Sequence, residues 1–270
     1  MIRTFLFNIL GSKNVDRLRY WKFSFRLSKA LKEIEEDKKY SISEQARSYL
    51  IAKRFSEFYE PEMEAIPEIL DNPEVILDIG SNYGPYSAFL SKLYPNSKIY
   101  AFEPVERTFN ILKKVKEKFS LENVELIKKG LGSQEGDKII VLPNHYTITA
   151  YIKDFYQEFN KNDDIEIVKI TTLDNFVKEK KISRLDFIKC DVEGFELEIF
   201  EGGKKAIKRF KPIIFVEIEE RHTKKYDINP QEVIDFLIEL DYSCYSVKGD
   251  HITKTNIVDK NIPLYIFKKK

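Results

Sequence analysis

Two glycines and two acidic residues lie in the first half of the chain at a spacing that suits a nucleoside ligand. Asp78–Ser87, with the sequence DIGSNYGPYS, and Glu103 with Pro104 each come directly after a short apolar run. Gly80 and Gly84 permit a tight turn and close approach of the backbone to a ligand. Glu103 is then placed to accept hydrogen bonds from both hydroxyl groups of a ribose.

The spacing of these glycines separates the loop from a dinucleotide site. Nicotinamide sites use Gly-x-Gly-x-x-Gly to cradle a pyrophosphate, whereas Gly80 and Gly84 form Gly-x-x-x-Gly. The carboxylate of Asp78 would repel a pyrophosphate, but it suits a ligand that has an ammonium or a sulfonium group. The pattern therefore favours S-adenosylmethionine over NAD. The simplest alternative is a tight strand–helix turn that binds nothing.

Alternating strands and helices must position these residues. From about residue 74, short β-branched runs alternate with amphipathic helical stretches, which is typical of parallel strands joined by right-handed crossovers. We predict strands at 75–77, 99–102, 124–127, 185–190 and 213–218, with helices at 87–94, 105–119 and 195–210. Extended, partly antiparallel pieces are predicted at 136–141, 147–152 and 165–170. The fold class is α/β with an open sheet, whose ligands bind at the carboxyl ends of its strands.

The first part of the chain has a different character. No strand is predicted there, and apolar residues that include Trp21, Phe25, Phe55 and Phe58 recur at helical spacing. We predict an N-terminal helical extension over 1–72 that covers the site or forms a homodimer, followed by one domain over 73–270. The aromatic side chains should be buried against that domain or a second subunit, because exposed they would form a large apolar patch.

Composition excludes several classes of protein. The 270 residues include 45 Lys and Arg and 44 Asp and Glu, so the net charge of +1 gives no support for a nucleic-acid partner. Two cysteines are too few for a disulfide scaffold or a cysteine zinc site. No apolar run approaches the ~20 residues of a membrane span, and the N-terminus lacks a signal-peptide cleavage site. We therefore expect a cytoplasmic protein without a transmembrane segment.

Four motifs in order along the chain resemble the FkbM family of S-adenosylmethionine-dependent methyltransferases. They are Asp78–Ser87, Phe102–Pro104 (FEP), Thr172–Asp174 (TLD) and Lys189–Glu196 (KCDVEGFE). The resemblance implies the Rossmann-like class I methyltransferase fold, a seven-stranded, mostly parallel sheet whose last hairpin is antiparallel. Residues 242–247 and 264–267 would supply that hairpin. It also implies O-methylation of hydroxyl groups on sugars, polysaccharides or related natural products, with S-adenosylhomocysteine as the product.

The resemblance also implies which residues hold the cofactor. The methionine part would lie against Asp78, Gly80, Ser81, Asn82, Gly84 and Ser87. The ribose would lie at Glu103 and Pro104, and the adenine near Leu131 and Gly132. Asp191 would face the sulfonium and the hydroxyl group of a small-molecule or glycan acceptor.

Methyl transfer to a hydroxyl group requires that the oxygen is aligned with the methyl group and loses its proton. The candidates for these tasks are Asp191, Glu217, His222 and His145. Asp191 and Glu217 end adjacent predicted strands, so they are candidates to share a Mg²⁺ ion. We favour a reaction without metal, because the sequence offers no compelling third ligand. Glu193 and Glu196 are expected to cap the following helix or to complement its dipole.

Two other functions compete with this interpretation. The first is an NAD-dependent oxidoreductase, which the missing glycine disfavours. The second is a nucleoside-cofactor-binding protein that does not transfer a methyl group, and the acids at the ends of the fourth and fifth strands argue against it. A nucleic-acid methyltransferase is disfavoured by the absence of an Asn-Pro-Pro-Tyr type of base-flipping motif.

Overall fold

The computed structural model of the chain describes residues 63, 65–143, 150–153, 163–248 and 251–270. Trp21, Phe25, Phe55 and Phe58, on which the N-terminal prediction depends, lie outside these ranges, and so does His145. Their burial and their roles stay predictions.

The described part of the chain alternates strands and helices over most of its length. The strands are β1 Val75–Ile79, β2 Lys98–Phe102, β3 Val124–Ile127, β4 Gly130–Leu131, β5 Gly136–Leu142, β6 Tyr151–Lys153, β7 Asp164–Thr171, β8 Phe187–Cys190, β9 Ile213–Glu217, β10 Tyr242–Lys248, β11 His251–Thr255 and β12 Leu264–Lys269. The helices are α1 Ile66–Ile69, α2 Pro85–Leu93, α3 Glu106–Lys118, α4 Leu173–Glu179, α5 Glu196–Gly202, α6 Lys204–Phe210, α7 Glu220–Thr223 and α8 Pro230–Glu239. A 3-10 helix covers Lys224–Tyr226.

The central sheet has the predicted mostly parallel arrangement. Its strand order is β11-β10-β12-β9-β8-β1-β2-β3, and the five strands from β9 to β3 pair in parallel. β12 lies between β9 and β10 and is antiparallel to both. The seven strands other than β11 match the seven strands of the predicted sheet. β10 and β12 form the predicted antiparallel hairpin.

An eighth strand extends the sheet in the described residues. β11 pairs antiparallel with the outer edge of β10, in the connection between the two strands of the predicted hairpin. Its side chains are exposed or half-buried, so its sequence lacks the apolar pattern that indicates a strand. The predicted helix 195–210 is also divided, into α5 and α6, at the Gly202–Gly203 pair.

A second, smaller sheet interrupts the alternation between β3 and β8. Its order is β4-β7-β5-β6, with β5 antiparallel to both β7 and β6. The pairing agrees with the partly antiparallel pieces predicted from the sequence. The first half of the predicted piece 147–152 lies outside the described residues.

Successive residues of β1 pack on opposite faces of the central sheet. Ile76 lies in a hydrophobic cluster with residues of α2 and α3, whereas Leu77 and Ile79 lie in a second cluster with residues of α5 and α8. Because helices cover both faces, β1 and its neighbours are mainly apolar runs rather than alternating ones. These packed strands form a rigid base for the loops at their carboxyl ends.

The described residues that precede β1 belong to the same core. Met63, Ile66 and Leu70 are buried in the cluster that contains Phe89 of α2. The end of the predicted N-terminal extension therefore packs against the domain predicted to begin at residue 73. Among the helices that the structure describes, none is long and apolar enough to cross a membrane.

Candidate functional site

The residues that follow the parallel strands meet at one edge of the sheet. β9, β8, β1 and β2 are consecutive neighbours and point the same way. Their carboxyl ends therefore place Glu217, Asp191, the loop after Asp78 and Glu103 side by side, as the strand prediction requires.

Asp78 is the penultimate residue of β1, and its carboxylate is completely buried. The Ser87 hydroxyl donates to its Oδ2 at 2.5 Å. Its Oδ1 accepts no hydrogen bond from the described residues and lies 3.7 Å from the Lys189 ammonium. Burial raises the pKa of Asp78, while Lys189 acts in the opposite direction. A buried acceptor without a hydrogen bond is costly in isolation, and it fits the ammonium group of a methionine-type ligand.

The two glycines of the loop are needed for packing within the protein. Gly80 and Gly84 have φ values of +74° and +92°. A Cβ atom on Gly80 would lie 1.9 Å from the backbone oxygen of Asp191, and one on Gly84 would lie 2.5 Å from a methyl carbon of Leu112. These internal contacts are a second reason for glycine at both positions, and close approach of the loop to a ligand stays a prediction. The two glycines let the loop lie against the end of β8 and against α3.

Ser81 and Asn82 connect this loop to the end of β2. The Ser81 hydroxyl lies 2.9 Å from the Phe102 carbonyl oxygen, to which it can donate. The Asn82 amide donates to Glu103 Oε2 at 3.1 Å. The buried Asn82 Oδ1 finds no partner within the described ranges, so it is a second acceptor with unused capacity beside Asp78.

Glu103 is held in place by two backbone amides. It is only 6% exposed, and Val105 donates to its Oε1 at 2.9 Å while Asn82 binds the other oxygen. Burial raises the pKa of Glu103 to about 7, although the two amides act in the opposite direction. Each carboxylate oxygen can accept a further hydrogen bond, so the geometry fits a ribose diol. Pro104 follows as a half-buried residue.

The segment predicted to lie near adenine is the short strand β4 and the residue after it. Leu131 is buried in the second hydrophobic cluster. The Gly132 amide donates to the Thr171 carbonyl oxygen at 3.1 Å, and a Cβ on Gly132 would lie 3.2 Å from the Phe195 ring. The contacts of both residues are internal to the protein, so an adenine role stays a proposal.

Lys189 is a member of the site for which the sequence reasoning gave no role. Its side chain is 5% exposed, and its ammonium lies 3.4 Å from Asp191 Oδ2 and donates to the Gly80 carbonyl oxygen at 3.2 Å. The signal available in the sequence was a lysine inside an apolar strand, two residues before an acid. A charge placed there needs partners.

A carboxylate–histidine pair lies beyond the end of β9. His222 Nε2 is 3.1 Å from Glu193 Oε2, and the Lys225 ammonium lies 3.3 Å from the same oxygen. Burial, and secondarily Lys225, lowers the pKa of His222, so its imidazole is neutral at pH 7. Donation from Nε2 to Glu193 leaves Nδ1 as the basic nitrogen. Of the two candidate histidines, His222 is therefore the one that the described structure places beside an orienting acid.

Glu217 and Asp191 have different partners. Asp191 contacts Lys189, whereas the ligand atoms of Glu217, Glu219 and His222 lie within 4.8 Å of one another. Glu219 is a third potential metal ligand that the sequence reasoning missed. It already forms an ion pair with Arg221, whose Nη2 donates to Oε1 at 2.8 Å.

The loop between β8 and α5 is fixed by Glu196. Its Oε1 accepts hydrogen bonds from the amides of Val192 at 3.2 Å and Gly194 at 3.1 Å. Burial raises the pKa of Glu196 to about 7. Glu196 lies in the first turn of α5, as predicted, but these contacts give it a more specific task than to complement a dipole. It sets the path of the loop that presents Asp191 and Glu193.

The smaller sheet reaches the same side of the site. The Ile152 amide of β6 donates to the Tyr226 hydroxyl at 2.9 Å, and the Lys225 ammonium lies 5.4 Å from the centre of the Tyr151 ring. β6 therefore lies beside the Glu193–His222 pair. His145 belongs to the same insertion but lies outside the described residues.

The sequence and structure are similar to those of known methyltransferases. The sequence model of the family described as "Methyltransferase FkbM domain" matches residues 78–244. "Methyltransferase 1" of Beauveria bassiana is 28% identical over 142 residues, which cover 47% of this chain and 57% of that protein. "Hexuronic acid methyltransferase AglP" of Haloferax volcanii is 27% identical over 189 residues, which cover 70% of this chain and 69% of that protein.

A solved structure shows the same fold. The crystal structure of Methyltransferase FkbM from Methylobacillus flagellatus KT matches 90% of this chain and 59% of its own chain, with a TM-score of 0.51 and 16% sequence identity. The central sheet described above thus has the Rossmann-like class I methyltransferase fold. The chain spans less than two thirds of the length of the Beauveria protein and of this structure.

Proposed function

This chain belongs to the FkbM methyltransferase family, and from that premise we propose that it is an S-adenosylmethionine-dependent O-methyltransferase. The proposed acceptor is a hydroxyl group of a sugar, a polysaccharide or a related natural product. One observation supports this most strongly: the acceptors for a nucleoside cofactor and a neutral, carboxylate-held imidazole lie along the same edge of the sheet. The similarity to a hexuronic acid methyltransferase favours a carbohydrate acceptor.

The proposed cofactor residues fit S-adenosylmethionine in charge and in hydrogen-bonding capacity. Asp78 and Asn82 have buried oxygens that accept no hydrogen bond from the described part of the chain, and they would take the ammonium of the methionine part. Glu103 would accept from the ribose hydroxyl groups beside Pro104, and Leu131 and Gly132 would lie near the adenine. When bound, this cofactor supplies an electrophilic methyl group on a sulfonium.

In the proposed reaction the chain orients the acceptor and removes its proton. His222 accepts the hydroxyl proton at Nδ1, and Glu193 stabilises the imidazolium that forms. Asp191 accepts a hydrogen bond from the hydroxyl group and so fixes its direction. A positioned base of this kind contributes roughly 10²–10⁴-fold in rate.

We propose that the reaction needs no metal ion. Glu217, Glu219 and His222 have the ligand types that bind divalent cations, but Arg221 already neutralises Glu219. NAD is disfavoured because the buried carboxylate of Asp78 would face a pyrophosphate. A nucleic-acid acceptor is disfavoured because carboxylates outnumber cations beside His222, and they would repel a phosphate backbone. Residues 1–72 are proposed to cover the acceptor side or to form a homodimer.

Incubation with labelled S-adenosylmethionine and a panel of neutral and acidic glycans tests the proposal. Mass spectrometry should show an acceptor in which one hydrogen is replaced by a methyl group. His222→Ala should lower turnover by at least ~10²-fold and leave S-adenosylhomocysteine binding unchanged. His251→Ala is the matched control, because His251 is exposed on β11, and it should behave as wild type.

Three outcomes would each contradict a part of the proposal. If cofactor binds but no acceptor in a broad panel is methylated, the binding protein without methyl transfer is favoured. If His222→Ala turns over at the wild-type rate, His222 is not the base. Loss of activity in EDTA with recovery in Mg²⁺ would replace the metal-free version by a site at Glu217, Glu219 and His222.

A further inference from the structure

Lys189 is a buried cation in the middle of the sheet edge that forms the candidate site. It lies in β8, whose four residues are all buried, and its side chain is 5% exposed. Its ammonium is 3.7 Å from Asp78 Oδ1, 3.4 Å from Asp191 Oδ2 and 3.2 Å from the Gly80 carbonyl oxygen. It also lies 4.8 Å from the centre of the Tyr86 ring.

These contacts join the segments that the proposed function assigns to the cofactor. Asp78 and Gly80 belong to the loop after β1, and Asp191 follows β8. A buried ammonium is costly unless charged and polar groups surround it, and here those groups come from both sides of the pocket. The other cations near this edge have different partners: Arg221 pairs with Glu219, and Lys225 pairs with Glu193.

We propose that Lys189 is a positioning residue for the methyl-transfer reaction. Its ammonium holds the carboxylates of Asp78 and Asp191 on the two sides of the cofactor pocket and balances one of their two charges. With both carboxylates ionised, these three groups together carry a single net negative charge. This inference rests on the proposed function, because it concerns the same site.

The proposed charge balance affects the relative affinity for two ligands, an effect that packing alone does not produce. S-adenosylmethionine differs from S-adenosylhomocysteine by one methyl group on sulfur and by the positive charge of the resulting sulfonium. The local net charge thus determines how much more tightly the first is bound than the second. Damage to the shape of the pocket weakens both ligands together, whereas a change in its charge alters the ratio of their dissociation constants.

The test measures binding of both ligands by calorimetry, without acceptor, to the full chain and four variants. In Lys189→Met, the ratio of the Kd for S-adenosylhomocysteine to the Kd for S-adenosylmethionine should rise about tenfold, as expected for removal of one partly screened charge. Lys189→Arg keeps the charge and should keep the wild-type ratio, even if both ligands bind more weakly. Asp191→Asn should lower the ratio. The double variant Lys189→Met with Asp191→Asn restores the net charge and should restore the ratio.

Each outcome separates this inference from the proposed function. If the wild-type chain binds neither ligand, the proposed function fails. If it binds both but Lys189→Met leaves the ratio unchanged, Lys189 has no charge-balancing role. If Lys189→Met does not fold, the ratio of the two dissociation constants is compared between Asp191→Asn and the double variant. An equal ratio in those two variants would overturn the inference.

Discussion

Glu103 is the residue whose protonation most directly affects cofactor binding. Burial raises its pKa to about 7, so Glu103 is mostly protonated below pH 7 and mostly ionised above it. Ribose hydroxyl groups donate to the ionised form. We therefore predict that the affinity for S-adenosylhomocysteine is about tenfold lower at pH 6 than at pH 8. Calorimetric titration across this range measures the change.

Glu103→Gln is the control for this pH dependence. The glutamine cannot ionise, so the dependence between pH 6 and 8 should be largely lost and the affinity at pH 8 reduced. If the variant keeps both the wild-type affinity and the wild-type slope, Glu103 does not contact the ribose.

At the residue scale, the sequence predicted where the acidic side chains of the site lie more reliably than which groups they contact. Asp78, Glu103, Asp191 and Glu217 were predicted at strand ends because each acid directly follows or ends an apolar run. The pairing of Asp191 with Lys189 depends on how the loop after β1 lies on β8, which no local pattern encodes. Glu219 was missed for the same kind of reason, since its contacts with Glu217 and His222 arise only when the chain turns after β9.

At the scale of elements, the loop between β8 and α5 depends on Gly194. Gly194 has a φ of +105°, and a Cβ there would lie 2.4 Å from the His222 backbone oxygen. We predict that Gly194→Ala destabilises the protein by about 2–4 kcal/mol, through strain and displacement of the chain at His222. It should also reduce turnover, because the Glu193–His222 pair would separate. Denaturant unfolding and the rate of methyl transfer measure the two effects.

Gly136→Ala is the control variant, because it introduces backbone strain without the steric clash that Gly194→Ala causes. Gly136 also has a positive φ, of +150°, but a Cβ there would meet no described atom within 4 Å. This variant should lose some stability and keep its turnover. Equal loss of activity in the two variants would show that the position of the loop is not what matters.

The parallel strands of the central sheet were predictable because they are buried on both faces and are therefore mainly apolar, with Asp78 and Lys189 as exceptions at the site. β11 was not predicted because it is an exposed edge strand whose residues give no alternating signal. The interruption of the helix after β8 was also missed, because the amphipathic pattern continues across Gly202 and Gly203. The backbone of Gly132 packs directly against Gly202 at this break. A Cβ built on Gly202 would lie 2.0 Å from the Gly132 backbone oxygen.

At the scale of the whole molecule, α1 should fold and unfold together with the central sheet and the helices that cover it. Ile66 is 0% exposed and lies in the core cluster of α2 and α3. We predict that Ile66→Ala lowers the free energy of unfolding by about 2–5 kcal/mol and leaves one cooperative transition. Ile257→Ala, at a residue that is 67% exposed, is the matched control and should cost little. A near-zero effect of Ile66→Ala would mean that this segment is not part of the core.

The claim that most needs a direct test is that this sheet edge binds S-adenosylmethionine rather than a dinucleotide. The measurement is calorimetric titration of the 270-residue chain with S-adenosylhomocysteine and, separately, with NADH. We predict that S-adenosylhomocysteine binds once per chain and raises the Tm, because it stabilises only the native state, while NADH gives no saturable heat. Saturable binding of NADH in the absence of binding by S-adenosylhomocysteine would contradict the account.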